Sequence, residues 1–365
     1  MPQPRVSGSF RSLFLYDLCD EIRLDALRGL LGTPGAGREP QFRHLAPDYV
    51  RFERPPVVET LAPVQLESGE WLRCKVNYYD YGVVSVEFEL PFEFDWAQLV
   101  KSSGEWMTAP ELESKSAEVV RACRERVSSS LVKPYDYRLT EDYYLIRIQP
   151  LQRGERTVSA AELIAEYGQS IAQIVRGETA PLSDGETSEV LDSRLSYFPN
   201  DLLVVGWTAA LVYDTTEGAA STIQLLAYAN SQLLEFRHYD HVLTQLLAQV
   251  YDAVSAGTGL MGRWRLAREA ERLNTIQLDV RELTERVDNS IKFLSDMFDA
   301  RVYRLAANRI GVPDYRNLVD QKLHTAEDLY RFMMDRFHQG RGFVLELMVV
   351  VILIIELVFL FRGKS

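Results

Sequence analysis

Cysteine is scarce in this chain. There are three in 365 residues, Cys19, Cys74 and Cys123, widely spaced and without a CxxC pair. An odd, sparse count excludes a disulfide framework and fits a reducing compartment, with the thiols read as small buried side chains. Positive charge is short as well. Forty Lys and Arg stand against 52 Asp and Glu, for a formal net charge of −12. The overall field of such a body repels nucleic acid, so no direct DNA binding is expected. The opening residues lack a charged start followed by an apolar run, and no secretory signal is expected from them. Familiar catalytic signatures are missing too. There is no GxSxG serine and no HExxH pair. The loop "GTPGAGRE" continues into Arg38-Glu39, where a phosphate-binding loop needs Lys followed by Ser or Thr. No cofactor is implied.

What is present reads as a mixture of strands and helices. "SFRSLFLYDL" is strand-like, and "CDEIRLDALRGLLG" has helical spacing at Ile22, Leu24, Leu27, Leu30 and Leu31. "WLRCKVNYYDYGVVSVEFEL" predicts a hairpin turning near Asp80 to Gly82. A charged amphipathic helix, "PELESKSAEVVRACRERVSSSLV", and a strand, "EDYYLIRIQP", follow. The order then partly recurs: a helix in "SAAELIAEYGQSIAQIVRGE", two strands joined at Pro199-Asn200-Asp201, and a long helix from "STIQLLAYANSQLLEF" onward. This grammar predicts an α+β protein with a ferredoxin-like β-α-β-β-α layered body. The expected divisions are a first α/β domain over 9–150 and a second α/β segment with a long helix over 151–256. A coiled-coil-like helical hairpin over 260–339 comes next, its seam running through Leu273, Ile276, Val280, Leu283 and Val287.

The last expected element is a C-terminal transmembrane helix over 343–361. Nineteen apolar-rich residues at about 1.5 Å each span about 28 Å, close to a hydrocarbon core. Phe343 and Phe361 bound it, and Arg362 follows at the headgroup level. Glu346 and Glu356 lie inside it. A charge at mid-bilayer costs about 2.5–3.5 kcal/mol, so a partnered helix, and hence a homo-oligomer, is expected. The expected arrangement is a single-pass tail anchor in a bacterial cytoplasmic (inner) membrane, with the lipid bilayer as a partner and the N-terminal body in the cytoplasm.

Two clusters invite a chemical reading. In "EFRHYDH", Glu235, His238 and His241 follow at steps of three, so one helix face offers up to three metal ligands, the rest having to come from elsewhere. Glu346 and Glu356 would mark an ion pathway if several copies assembled.

The aromatic strand and turn "VNYYDYGVVSVEFEL", the terminal "LELMVVVILIIELVF" with its two glutamates ten residues apart, and the paired helices before it resemble the required-for-meiotic-nuclear-division family. The chain departs from that family's pattern at Leu347, where it has tryptophan, and at Val86 to Phe88. The resemblance implies a divergent bacterial member and a membrane-tethered, non-enzymatic scaffold or interaction protein. It implies a partner in the translation machinery, a ribosomal or other cytoplasmic protein, and transfers no catalytic residue. The alternatives are a metal-binding enzyme using Glu235, His238 and His241, or an oligomeric ion pathway.

Overall fold

The computed structural model describes residues 5–32, 55–136, 139–255 and 297–329, with single positions between 275 and 282 and beyond 330. The elements are β1 (Val6–Asp17), β2 (Cys19–Ile22), α1 (Leu24–Leu31), β3 (Val57–Gln65), β4 (Trp71–Tyr78), β5 (Val83–Phe94), α2 (Trp96–Met107), α3 (Pro110–Arg126), β6 (Leu131–Pro134), β7 (Thr140–Ile148), β8 (Gln152–Arg153), β9 (Arg156–Thr157), α4 (Ala160–Arg176), α5 (Asp184–Asp192), β10 (Arg194–Leu195), β11 (Leu202–Val205), β12 (Ala209–Tyr213), α6 (Gly218–Ser255) and α7 (Met297–Ile310). The chain divides into two compact units. One comprises Met1–His238 with Glu282–Arg316, the other Tyr239–Arg281 with Asn317–Ser365.

Eight strands of the first unit form one mixed sheet in the order β10-β11-β12-β7-β1-β5-β4-β3. Every pairing in it is antiparallel except β12 with β7. The ferredoxin-like layering is therefore corrected. The later strands do not build a second body: β12 pairs Ala209 to Tyr213 against Tyr144 to Ile148 and extends the first sheet across residue 150. Strands "LLVV" and "AALVY" are buried at every position. That unbroken apolar run suits a parallel neighbour in a sheet covered on both faces.

Both faces are covered. Phe10, Phe14, Tyr16, Phe88, Tyr144 and Ile146 point into a core shared with α2, α3, α4 and α5. There Trp96 of α2 stacks on Tyr167 of α4 at 4.3 Å. Helix α4 begins with a capping box, in which Ser159 and Glu162 satisfy each other's backbone N–H, and it ends at Gly177 with φ of 72°. The opposite face presents Leu13, Leu15, Tyr143 and Leu145, all fully buried. Each such side chain contributes roughly 1.5–3 kcal/mol. Glu87 and Glu89 share this face with Arg11. They alternate like solvent-facing residues of a half-buried strand, yet Arg11 grips both, its Nη2 lying 2.8 Å from Glu89. All three side chains are 11% exposed, so the network is largely withdrawn from water.

Two local expectations also change. Cys19 to Ile22 form strand β2 against β6, so helix α1 starts only at Leu24. The first of the two strands expected around Pro199 is mostly helix α5, capped by Ser183, and leaves only Arg194–Leu195 as β10. Asp201 closes the following turn by accepting from the backbone N–H groups of Tyr197 and Phe198.

The second unit is helical at its described positions. Leu243, Leu246, Val319, Leu323 and Ala326 are buried. Lys322 reaches Asp240 Oδ1 at 2.5 Å and Thr244 Oγ1 at 2.6 Å. Of the expected hairpin over 260–339, much lies outside the described residues. Its stretch from Met297 to Arg316 belongs to the first unit, where Tyr303 donates to Gln232 and Arg309 pairs with Glu189 at 2.6 Å.

The transmembrane tail anchor is corrected as well. Among the described residues no helix is long and apolar enough to cross a membrane. Of the segment 343–361 only Val350, Ile352 and Leu353 are described, and Phe343, Glu346, Glu356, Phe361 and Arg362 lie outside the described residues. The single-pass inner-membrane location rested on that helix and is corrected with it.

Candidate functional site

Two polar side chains of α6, Arg237 and His238, meet the sheet at the ends of β1 and β7. Every position of "LFLYD" is buried, and Asp17 falls on the parity of Leu13 and Leu15. Its carboxylate is 2% exposed there. His238 comes down from α6 and sets Nδ1 2.5 Å from Asp17 Oδ2. The imidazole also stacks on Tyr135, with ring centroids 4.6 Å apart and planes at 15°. Tyr135 donates its hydroxyl to Asp20 Oδ1 at 2.7 Å, and Lys133 reaches Asp20 Oδ2 at 2.6 Å. One residue before His238, Arg237 pairs with Glu141 of β7. Two successive residues of α6 thus grip two neighbouring strands.

The turn beneath this cluster depends on Gly82. Its φ is 96°, and a Cβ there would lie 1.7 Å from the Cys19 carbonyl oxygen. Only glycine permits both the left-handed backbone and the close approach. The same turn lets Leu18 N–H donate to Gly82 O.

Electrostatics follow burial. Desolvation raises the pKa of Asp17, and the hydrogen bond and charge of His238 pull it back. The Tyr135 hydroxyl is pushed far up, first by burial, then by the Asp17 carboxylate, with Glu235 adding to the field. Burial pushes the Cys19 thiol up to about 12. An imidazole held by a carboxylate at Nδ1 is oriented to take a proton at Nε2. A thiol raised so far is a poor nucleophile to accompany it.

The candidate metal trio of the alternative reading does not gather as a site among the described residues. Glu235 is buried at 4% exposure on α6, and His238 meets Asp17. His241 belongs to the second unit and contacts Gln245 at 2.8 Å. Among the described residues no three His, Cys, Asp or Glu side chains gather as a metal site. The residues missed in the sequence are Asp17, Tyr135 and Arg237. Asp17 closes an unbroken apolar run, which was a local signal for its burial. Nothing local pointed to the other two, because their partners lie on distant elements.

A large mixed, mainly antiparallel sheet with helices and a polar cluster at one sheet end defines an α+β body. The chain belongs to the family described as uncharacterized protein MJ0711, N-terminal domain, whose model matches residues 7–220. Among curated proteins it is similar to uncharacterized protein MJ0711 of Methanocaldococcus jannaschii, at 18% identity over 195 residues. The match covers 53% of this chain and 60% of that relative, so the chain spans less than two thirds of the relative's length. No solved structure matches. The resemblance to the required-for-meiotic-nuclear-division family is thereby corrected. Its "DYGVV" signature is the tight turn between β4 and β5, and the steric demand at Gly82 that shapes it is one any closely approached hairpin can impose.

Proposed function

We propose that this chain is a non-enzymatic interaction protein, in which the sheet body fixes helix α6 for contact with another macromolecule. The observation that supports the reading is the clamp on His238. The histidine nominated for chemistry is held at Nδ1 by Asp17 and on its ring face by Tyr135, and its neighbour Arg237 is bound to Glu141. These groups tie one helix to two strands. The partition of the chain falls at His238–Tyr239, so α6 contributes to both units. Zinc titration of the purified full chain by calorimetry tests this reading against the metal-enzyme alternative. The expected result is no stoichiometric binding. Tight binding of one zinc, abolished by His238→Gln and Glu235→Gln, would overturn it.

A second reading rests on the 2.5 Å contact itself: an Asp–His pair is the orienting half of a general-base device. Hydrolysis of a panel of activated esters separates the two. A general base requires turnover that His238→Asn removes while the thermal midpoint stays in place. Under the interaction reading there is no turnover to lose, and the same variant lowers the midpoint.

A further inference from the structure

A second feature sits on the other side of the same sheet end. Strand β12 begins its pairing at Tyr144, so Thr140 to Tyr143 of β7 extend past it. In the notch lies an open cavity of about 270 Å³, lined on one side by the turn between α2 and α3. Its floor is aromatic. Phe14 and Tyr144 meet edge-to-face with centroids 6.3 Å apart, and Tyr16 lies beside them with its hydroxyl occupied by Ser116 at 2.5 Å. Its rim carries the carboxylates of Glu113 and Asp142, while Glu141, also in the lining, turns its carboxylate to Arg237. Asp142 stands directly opposite Phe14 in the β1–β7 register, which sets a carboxylate beside the ring.

The charges of this rim are unequally met. Glu141 has Arg237. Among the described residues neither Glu113 nor Asp142 has a cationic partner. The helix dipole eases Glu113 in the first turn of α3 and does nothing for Asp142. Their negative field is felt in the pocket: the Tyr144 hydroxyl, which donates a hydrogen bond to Asp142, is pushed up by burial, then by the Asp142 charge, and further by Glu113.

We infer that this cavity binds a small organic ammonium ion, its methylenes against Phe14, Tyr16 and Tyr144 and its charge between Glu113 and Asp142. Two features select that class. Aromatic faces attract ammonium groups and accept their apolar stems, and carboxylates supply the counter-charge. A hard metal ion needs six or more converging oxygens, whereas here rings form the floor and, among the described residues, no three carboxylates gather as a metal site. The size agrees. At about 30 Å³ per water, the space holds roughly nine waters. That suits a short amine and excludes a nucleotide. The inference is independent of the function proposed above.

A free amine and a lysine side chain carry the same head, so both are used as probes. Butylammonium and Nα-acetyl-lysinamide are titrated into the full chain by calorimetry, with butanol as the neutral isostere. The expected result is saturable millimolar binding of at least one ammonium probe, weakened by added salt and at least about fivefold by Glu113→Gln with Asp142→Asn. Butanol should not saturate. Preference for butylammonium would identify a free amine as the ligand, and preference for Nα-acetyl-lysinamide a lysine of another protein. The rim residues are exposed, so the double variant keeps the core intact, and its thermal midpoint checks this. Absence of saturation by both ammonium probes, equal affinity for butanol, or undiminished affinity in the folded double variant would overturn the inference.

Discussion

His238 of α6 and Asp17 of β1, far apart in the chain, meet at 2.5 Å with Asp17 almost wholly buried. The contact joins the helix to the middle of the eight-stranded sheet at the strand ends.

Removing His238 leaves a carboxylate in a dry site without its partner. His238→Ala is expected to cost about 3–5 kcal/mol in urea unfolding. Asp17→Asn combined with His238→Asn should cost less than the sum of the single changes by about 1–3 kcal/mol, since the two residues share one interaction. Additive single effects would show that the pair contributes nothing beyond its separate packing.

A pH dependence is expected at the start of α4. Arg156 first, then Ser159, hold the Glu162 carboxyl down at about 2, against an ordinary value of 4.5. A depressed carboxyl contributes stability above its unfolded pKa and loses it as pH falls through its folded pKa. Parent and Glu162→Gln should therefore differ in thermal midpoint at pH 6, the parent being more stable. The two midpoints should converge as pH is lowered from 4.5 to about 2. A gap constant across that window would remove the ionised carboxylate from the explanation.

The three cysteines are buried, and desolvation raises each thiol, Cys19 and Cys74 to about 12. Iodoacetamide at pH 8 should leave the native chain unmodified by intact mass, and should label all three positions in urea. Rapid native labelling of any one would contradict its placement in the core.

Much of the local structure was legible. The turn at Asp80 to Gly82 appeared as a glycine-bearing break between Val- and Tyr-rich strands, and the hairpin of β4 and β5 forms there. The helix in "SAAELIAEYGQSIAQIVRGE" forms over Ala160–Arg176 between its Ser and Gly signals. Less was legible where periodicity is short. Cys19 to Ile22 read as the first turn of a helix and became a strand, because their hydrogen bonds go to β6, more than a hundred residues away. The candidate site suffered for the same reason. Glu235, His238 and His241 look like one face of a helix, but a ligand set is decided by what faces it, and His238 faces Asp17.

Sequence alone determined the longer helices and the β4–β5 hairpin with its turn, since these depend on backbone sterics and side-chain spacing within a few residues. Tertiary structure decided that β12 lies beside β7, that Glu87 and Glu89 are buried against Arg11, and that a histidine offered for chemistry holds a helix to a sheet. Those outcomes depend on pairings between distant segments. Their free energy comes from water excluded and charges matched only once the whole sheet has been assembled.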